Sequence, residues 1–188
     1  PFPYPTLFRS FLGSNLCDRL IADNHEVIGM DNFITGSPDN LAHLAGNENF
    51  SFIRHDVSNF IFVPGKIDAV MHFGAYSLVG ESVTAPLDYY RNNLAATIEL
   101  LQAMAHHRIH HFIFSSSAAV YGEPQQLPIS EGHPLQPTSP YGTSKLAVEM
   151  MLRDCERAYG LKYASLRYFN AAGADADGQL GERHEPET

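Results

Sequence analysis

Ser115-Ser116-Ser117 closes an apolar run, and Tyr141-Gly142-Thr143-Ser144-Lys145 follows after a loop. A tyrosine and a lysine at i and i+4 fall on one helix face, one turn apart. An ammonium beside a phenol favours the phenolate. A free phenol, with a pKa near ~10, is a poor base at neutral pH, whereas one acidified by lysine can take a proton from a sugar hydroxyl. Tyr-x-x-x-Lys alone is also the spacing of any two surface neighbours on a helix. Here an apolar strand ending in serines precedes it and a nucleotide-type Asp lies upstream, so Tyr141 and Lys145 are the expected catalytic pair.

Other residues suit a nucleotide. Phe11-Leu12-Gly13-Ser14 reads as the end of a Gly-rich turn feeding a helix, whose N–H groups would face a pyrophosphate; a plain turn fits as well. Asp31 follows Gly13 at close to the interval, about 20 residues, at which an acid accepts the ribose hydroxyls of NAD. It would also repel the extra phosphate of NADP, although an Asp simply ending a strand has the same look. Asp56-Val57 suits an adenine amino group or a surface turn. Phe73-Gly74-Ala75 offers small residues for close approach of a cofactor or of a helix. Asn92 is a polar amide in an otherwise good helix. His106, His107, His110 and His111 form a run between a helix and a strand, which reads as a solvated connection rather than a metal site.

The elements that must carry these groups alternate. Leu12, Leu16 and Leu20 recur at helical spacing. Strands are expected at His25–Asp31, Phe50–Val57, Asp68–Ala75, His111–Ser117 and Tyr163–Asn170. Helices are expected after Ser37-Pro38, from Pro86 to about His107, and from Ser139-Pro140 to Tyr159. Between Ala118 and Ser139 runs a loop with four prolines, long enough to read as substrate-facing. Alternating β and α elements with near-continuous apolar strands imply a doubly wound α/β fold, a Rossmann-like parallel sheet covered on both faces.

Both ends depart from this pattern. Residues 1–10 (PFPYPTLFRS) stand where a central first strand belongs, and three prolines within five residues argue against one. The segment has the look of a translated sequencing adapter joined in frame; a genomic codon run through residues 1–10 would refute that origin. The expected division is therefore a foreign segment at 1–10, a nucleotide-binding domain at 11–175, and the start of a second domain at 176–188. The first strand and most of the second domain are read as missing.

Composition excludes several classes. The 188 residues are 44% hydrophobic and 18% charged, as in a globular domain. A net charge of -9, from 12 Lys+Arg against 21 Asp+Glu, argues against nucleic acid as a partner. No apolar run approaches a membrane span, and Cys17 and Cys155 read as reduced thiols, so a cytoplasmic protein is expected.

Together the stretches MDNFITGS, SLVGESVTAPLDYYRNN, FIFSSSAAVYGEP, SPYGTSK, LRYFNAAGAD and GERHEPET resemble the extended short-chain dehydrogenase/reductase family, in its NAD-dependent epimerase/dehydratase branch. The resemblance covers nearly everything from Phe11 to Thr188. It implies NAD as cofactor, lined by Phe11, Leu12, Asp31, Asn32, Phe33, Ile34, Thr35, Gly36, Asp56, Val57, Phe73, Gly74, Ala75, Tyr76, Ser77 and Asn92. By the same resemblance Lys145 would bind the nicotinamide ribose and acidify Tyr141. Ser117 would hold the sugar 4-hydroxyl as a proton relay. Phe169 would touch the nicotinamide side and Asn170 the nucleotide sugar.

The activity implied is redox-neutral C4 epimerisation of UDP-glucose and UDP-galactose through a 4-keto sugar. Dehydration needs an acid just after the strand, and Ser116-Ser117-Ala118-Ala119 carries none; the Glu usual in UDP-glucuronate decarboxylases is also absent from this turn. Another UDP-sugar (an N-acetylhexosamine or a pentose) stays open, as does an inactive fragment. The family implies a homodimer at full length; Leu94, Ile98, Leu101 and Met104 suit such a helix face and suit ordinary core packing as well.

Overall fold

A computed structural model describes residues 3–7, 11–32, 38–57, 59, 61, 63 and 65–171. Its strands are β1 (Pro3–Leu7), β2 (Glu26–Asp31), β3 (Phe50–Arg54), β4 (Val70–His72), β5 (His111–Ser115) and β6 (Lys162–Leu166). The helices are α1 (Phe11–Ala22), α2 (Val79–Thr84), α3 (Pro86–Tyr89), α4 (Ala96–His106) and α5 (Pro140–Tyr159). Short 3-10 segments span Pro38–Leu44 and Ala118–Val120, and a π-helical turn spans Tyr90–Ala95. All pairings are parallel, in the order β3-β2-β1-β4-β5-β6. This is the doubly wound order, and its direction reverses between β1 and β4, which opens a crevice at the carboxyl ends of those strands.

The middle position corrects the sequence expectation that residues 1–10 stand outside the sheet. Residues 3–7 form β1, paired to β2 from Pro3↔Glu26 to Leu7↔Met30. Pro3 and Pro5 share one parity, so the N–H groups they lack all fall on one edge of the strand. Pairing to β4 is confined to Thr6 and Leu7, beyond the prolines. A strand can therefore hold Pro3 and Pro5 when only one of its edges loses donors.

Alternation along the strands divides the core between two faces. Val27 of β2 joins Cys17 of α1 with Leu41 and Leu44, while Met30, of opposite parity, joins Val70, Leu100, Met104, Phe112, Phe114, Val148 and Leu152. Helix α5 begins and ends where its sequence signals stand: Ser139 Oγ accepts from Gly142 N at 3.1 Å, and Gly160 closes the helix at φ +70.

Several elements differ from expectation: β3 ends at Arg54 rather than Val57, β5 ends at Ser115 rather than Ser117, and α2 forms where no helix was expected. The strand expected at Asp68–Ala75 contracts to Val70–His72, because its neighbours offer ladder partners only there. The strand expected to Asn170 stops at Leu166, where Tyr168 N turns back to Leu166 O at 3.2 Å. The long helix expected from Pro86 is interrupted by the π turn, which carries one residue more than an α turn and rotates Asn93 inward. Asn93 Oδ1 accepts from Tyr76 N (2.8 Å) and its Nδ2 donates to Tyr76 O (3.0 Å), so one side-chain amide pairs with the loop after β4 as a strand would. Asn92 Oδ1 accepts from the same N–H at 3.1 Å.

Candidate active site

Helix α5 lies against the carboxyl end of β5, and Gly142 permits the approach: a Cβ there would stand 2.6 Å from Ala119 O and 3.0 Å from Pro137 Cβ. One residue before it, the half-buried Tyr141 phenol lies close enough to the Ser117 side chain for that hydroxyl to hold its pKa down. Ser117 is itself held, because its Oγ accepts from Ala119 N at 3.1 Å and caps the 3-10 turn. Lys145, 3% exposed, donates from Nζ to Ser115 O at 2.8 Å, with Phe114 beneath it at 4.9 Å and the Tyr141 ring centroid at 5.9 Å. The three residues that sequence spacing joined therefore converge at one strand end.

The electrostatics differ from the simple expectation of an ammonium beside a phenol. Burial pushes Lys145 down from 10.5 to about 7, so near neutral pH its charge is only partly present. Burial also raises the Tyr141 phenol, and the opposing influence on it is the Ser117 hydroxyl. On the sheet side of Lys145, His72 is buried between Phe112 and Phe114. Thr97 Oγ1 donates to Asn93 O (2.7 Å), which leaves it to accept from His72 Nε2–H at 3.1 Å. His72 Nδ1 then has no hydrogen-bond partner, and desolvation first, with the Lys145 charge second, pushes His72 down to about 3.

The expected nucleotide positions fall along the carboxyl edge. Asp31, 7% exposed, ends β2, and its carbonyl accepts from His55 N at 3.0 Å. Leu12, Asn32, Asp56, Val57, Phe73, Gly74, Ala75, Tyr76 and Asn92 are half-buried, and Ser77 is exposed. Phe33, Ile34, Thr35, Gly36 and the Phe11 side chain lie outside the described residues. Phe169, 64% exposed, and Asn170, also exposed, stand past the end of β6. Among the described residues, no three His, Cys, Asp or Glu are grouped to hold a metal.

Sequence reasoning passed over a buried polar group next to this centre. Glu149 accepts from Ser116 Oγ at 2.5 Å and is paired by Arg167 through Nε (3.0 Å) and Nη2 (2.7 Å). Its signal was available: Glu149 is the next helical neighbour after Lys145 on the Tyr141 face. Asn93 and Thr97 were missed because nothing local in the sequence marks a π turn.

The doubly wound sheet with Tyr141, Lys145 and Ser117 at its carboxyl edge is the arrangement that the sequence resemblance implied. A profile of the NAD dependent epimerase/dehydratase family matches residues 8–186, and the chain belongs to that family. It is 45% identical over 183 residues to a UDP-glucose 4-epimerase of Halalkalibacterium halodurans, covering 95% of this chain and 53% of that one. Among solved structures, UDP-glucose 4-epimerase from Brucella ovis in complex with NAD superposes with a TM-score of 0.89 at 39% identity, covering 100% of this chain and 58% of that one. A UDP-N-acetylglucosamine 4-epimerase from Methanobrevibacter ruminantium, in complex with UDP-N-acetylmuramic acid, matches at 0.82 and 35%, over 92% and 56%. The chain spans about half the length of the curated relatives it matches.

The depressed Lys145 pKa has a consequence for stability. Between about 7 and 10.5 the unfolded chain binds a proton that the folded site has released, so this group makes stability rise with pH across that window. The melting temperature is expected to climb from pH 7 to 9, and Lys145→Met to flatten the climb; an identical climb in the variant would contradict the assignment.

Proposed function

We propose that the chain is the cofactor-binding half of an NAD-dependent 4-epimerase that interconverts UDP-glucose and UDP-galactose. The observation that carries this reading is the convergence of Ser117, Tyr141 and a buried Lys145 at the carboxyl edge of a doubly wound sheet. The same residues fit NAD. Asp31 puts a largely buried carboxylate at the end of β2, two strands from the topological reversal, where its chemistry suits a ribose diol and disfavours a phosphate. Asp31, Asn32, Asp56, Val57, Leu12 and the segment Phe73–Ser77 would hold the dinucleotide, with Lys145 toward the nicotinamide ribose.

Bound NAD would supply the hydride acceptor and donor that carry C4 of the hexose through a ketone and back. Tyr141, as phenolate, takes the proton of the 4-hydroxyl and returns it. Ser117 acts on the phenol to lower its pKa against the effect of burial, and so keeps the base usable. Lys145, fixed on Ser115 O, keeps an amine beside the ring with a protonation state that neighbouring charge can change. Phe169 and Asn170, exposed beyond the end of β6, would meet the nicotinamide side and the sugar nucleotide respectively.

A second reading, epimerisation of a UDP-N-acetylhexosamine or a UDP-pentose, draws support from the relative that acts on UDP-N-acetylglucosamine. In a protein of its relatives' length we also propose a homodimer. Of the helix face named above, Met104 is buried and Leu94 and Leu101 pack against the core, which leaves Ile98 exposed. Met150 of α5, Val83 of α2 and Leu87 of α3 are exposed apolar residues on the neighbouring helices. Both thiols are free, in keeping with a cytoplasmic location, and no described helix is long and apolar enough to cross a membrane.

Two measurements decide these points. The purified chain should release NAD on denaturation and interconvert the two UDP-hexoses. Tyr141→Phe should lose at least ~100-fold in turnover while retaining NAD; absence of both NAD and turnover in the parent would leave the inactive-fragment reading. In sedimentation, Ile98→Asp with Met150→Asp should convert dimer to monomer, and an unchanged mass would remove that face from the interface.

A further inference from the structure

Glu149 and Arg167 form a pair whose side chains are 7% and 21% exposed. A carboxylate there is costly unless paired, and an apolar pair of similar volume would often be at least as stable. The geometry indicates what the charged pair adds. Both Glu149 oxygens are engaged by the Arg167 fork, and Oε1 also accepts from Ser116 Oγ at 2.5 Å. The remaining arm of Arg167, Nη1, donates to Tyr121 Oη (3.0 Å) and Glu131 O (3.2 Å), while the guanidinium lies 5.0 Å over the Tyr121 ring. Tyr121 in turn packs edge-on against the buried His133, ring centroids 5.8 Å apart.

These contacts join four segments at one point. Ser116 precedes the proton relay, Glu149 follows Lys145 by one helical turn, Arg167 precedes Phe169 and Asn170, and Tyr121 with Glu131 belongs to the loop between Ala118 and Ser139. A second bond from Ala118 N to Tyr168 O, 2.7 Å, binds the same two chain ends. The Ser117 hydroxyl can meet the Tyr141 phenol only while Ser116 stays fixed relative to α5, and Glu149 is the α5 side chain that grips Ser116.

We propose that Glu149 and Arg167 are positioning residues for the epimerase centre, a carboxylate–guanidinium tie that holds Ser116, and thereby Ser117, against Tyr141 and fixes the loop and the β6 end to the same frame. The proposal rests on the reading of Ser117 and Tyr141 as the proton-handling pair. Loosening the tie draws away Ser117, the group that opposes the effect of burial on the phenol, so the Tyr141 pKa rises. The other groups near the phenol, Lys145 on its own helix and Tyr89 of α3, are left in place by these substitutions.

The test uses the full chain with Glu149→Gln, the apolar double variant Glu149→Met/Arg167→Met, and Arg167→Lys, which keeps the charge and loses the fork. The phenol is titrated by ultraviolet absorbance difference against Tyr141→Phe, alongside melting temperature, bound NAD, kcat and KM. The expected result is a higher Tyr141 pKa in every folded variant, with kcat down about tenfold or more, KM within about twofold, and the acid limb of the kcat profile moved to higher pH. The apolar double variant is expected to melt no lower than the parent. An unchanged phenol titration in any folded variant overturns the proposal, whether or not the chain turns over. Absence of NAD and turnover in the parent would instead overturn the epimerase reading, and the titration would still decide the tie.

Discussion

Helix α5 can bring Tyr141 to Ser117 only because position 142 has no side chain. A methyl group there would sit 2.6 Å from Ala119 O, and either the helix or the turn after β5 would have to retreat. That close approach is secured from both sides. Ser139 caps the helix through Gly142 N, and Ser117 caps the facing 3-10 turn through Ala119 N. The phenol and the hydroxyl are therefore set in part by two short serine caps on backbone N–H groups, which suits a centre where a small displacement costs much of the rate.

Burial is the second constraint, and it acts on every titratable group of the centre in the direction of neutrality. It lowers Lys145 and His72 and raises Tyr141. A base and its assisting cation are thus both held near the uncharged state, so small local contacts decide which form prevails. The neighbouring Ser117 hydroxyl is such a contact. His72, neutral and bound through Nε2 to Thr97, places no competing charge beneath the lysine.

The π turn at Tyr90–Ala95 links this centre to the segment after β4. Asn93 reaches from the turn to both backbone groups of Tyr76 and, at 3.3 Å, to Ser144 Oγ beside Lys145. One amide therefore joins the segment following β4 to α5. The helix gives up regular α hydrogen bonding over six residues for this contact, and π turns of this kind recur at functional positions.

Much of this organisation was legible in the chain. Leu12, Leu16 and Leu20 located α1, apolar runs located the parallel strands, Ser139-Pro140 marked the start of α5, and the i, i+4 spacing joined Tyr141 to Lys145. These features are local: they depend on residues within a few positions of one another, where propensity and helical geometry suffice. Other features were not legible. The admission of Pro3–Leu7 as β1 depends on neighbouring strands that demand donors from only part of it. The partial charge of Lys145 depends on burial by distant segments, and the grip of Glu149 on Ser116 spans 33 positions. Sequence by itself determined which groups could do the chemistry; only the tertiary structure decided their charge and their partners, because solvation and long-range hydrogen bonds exist only once separate segments have met.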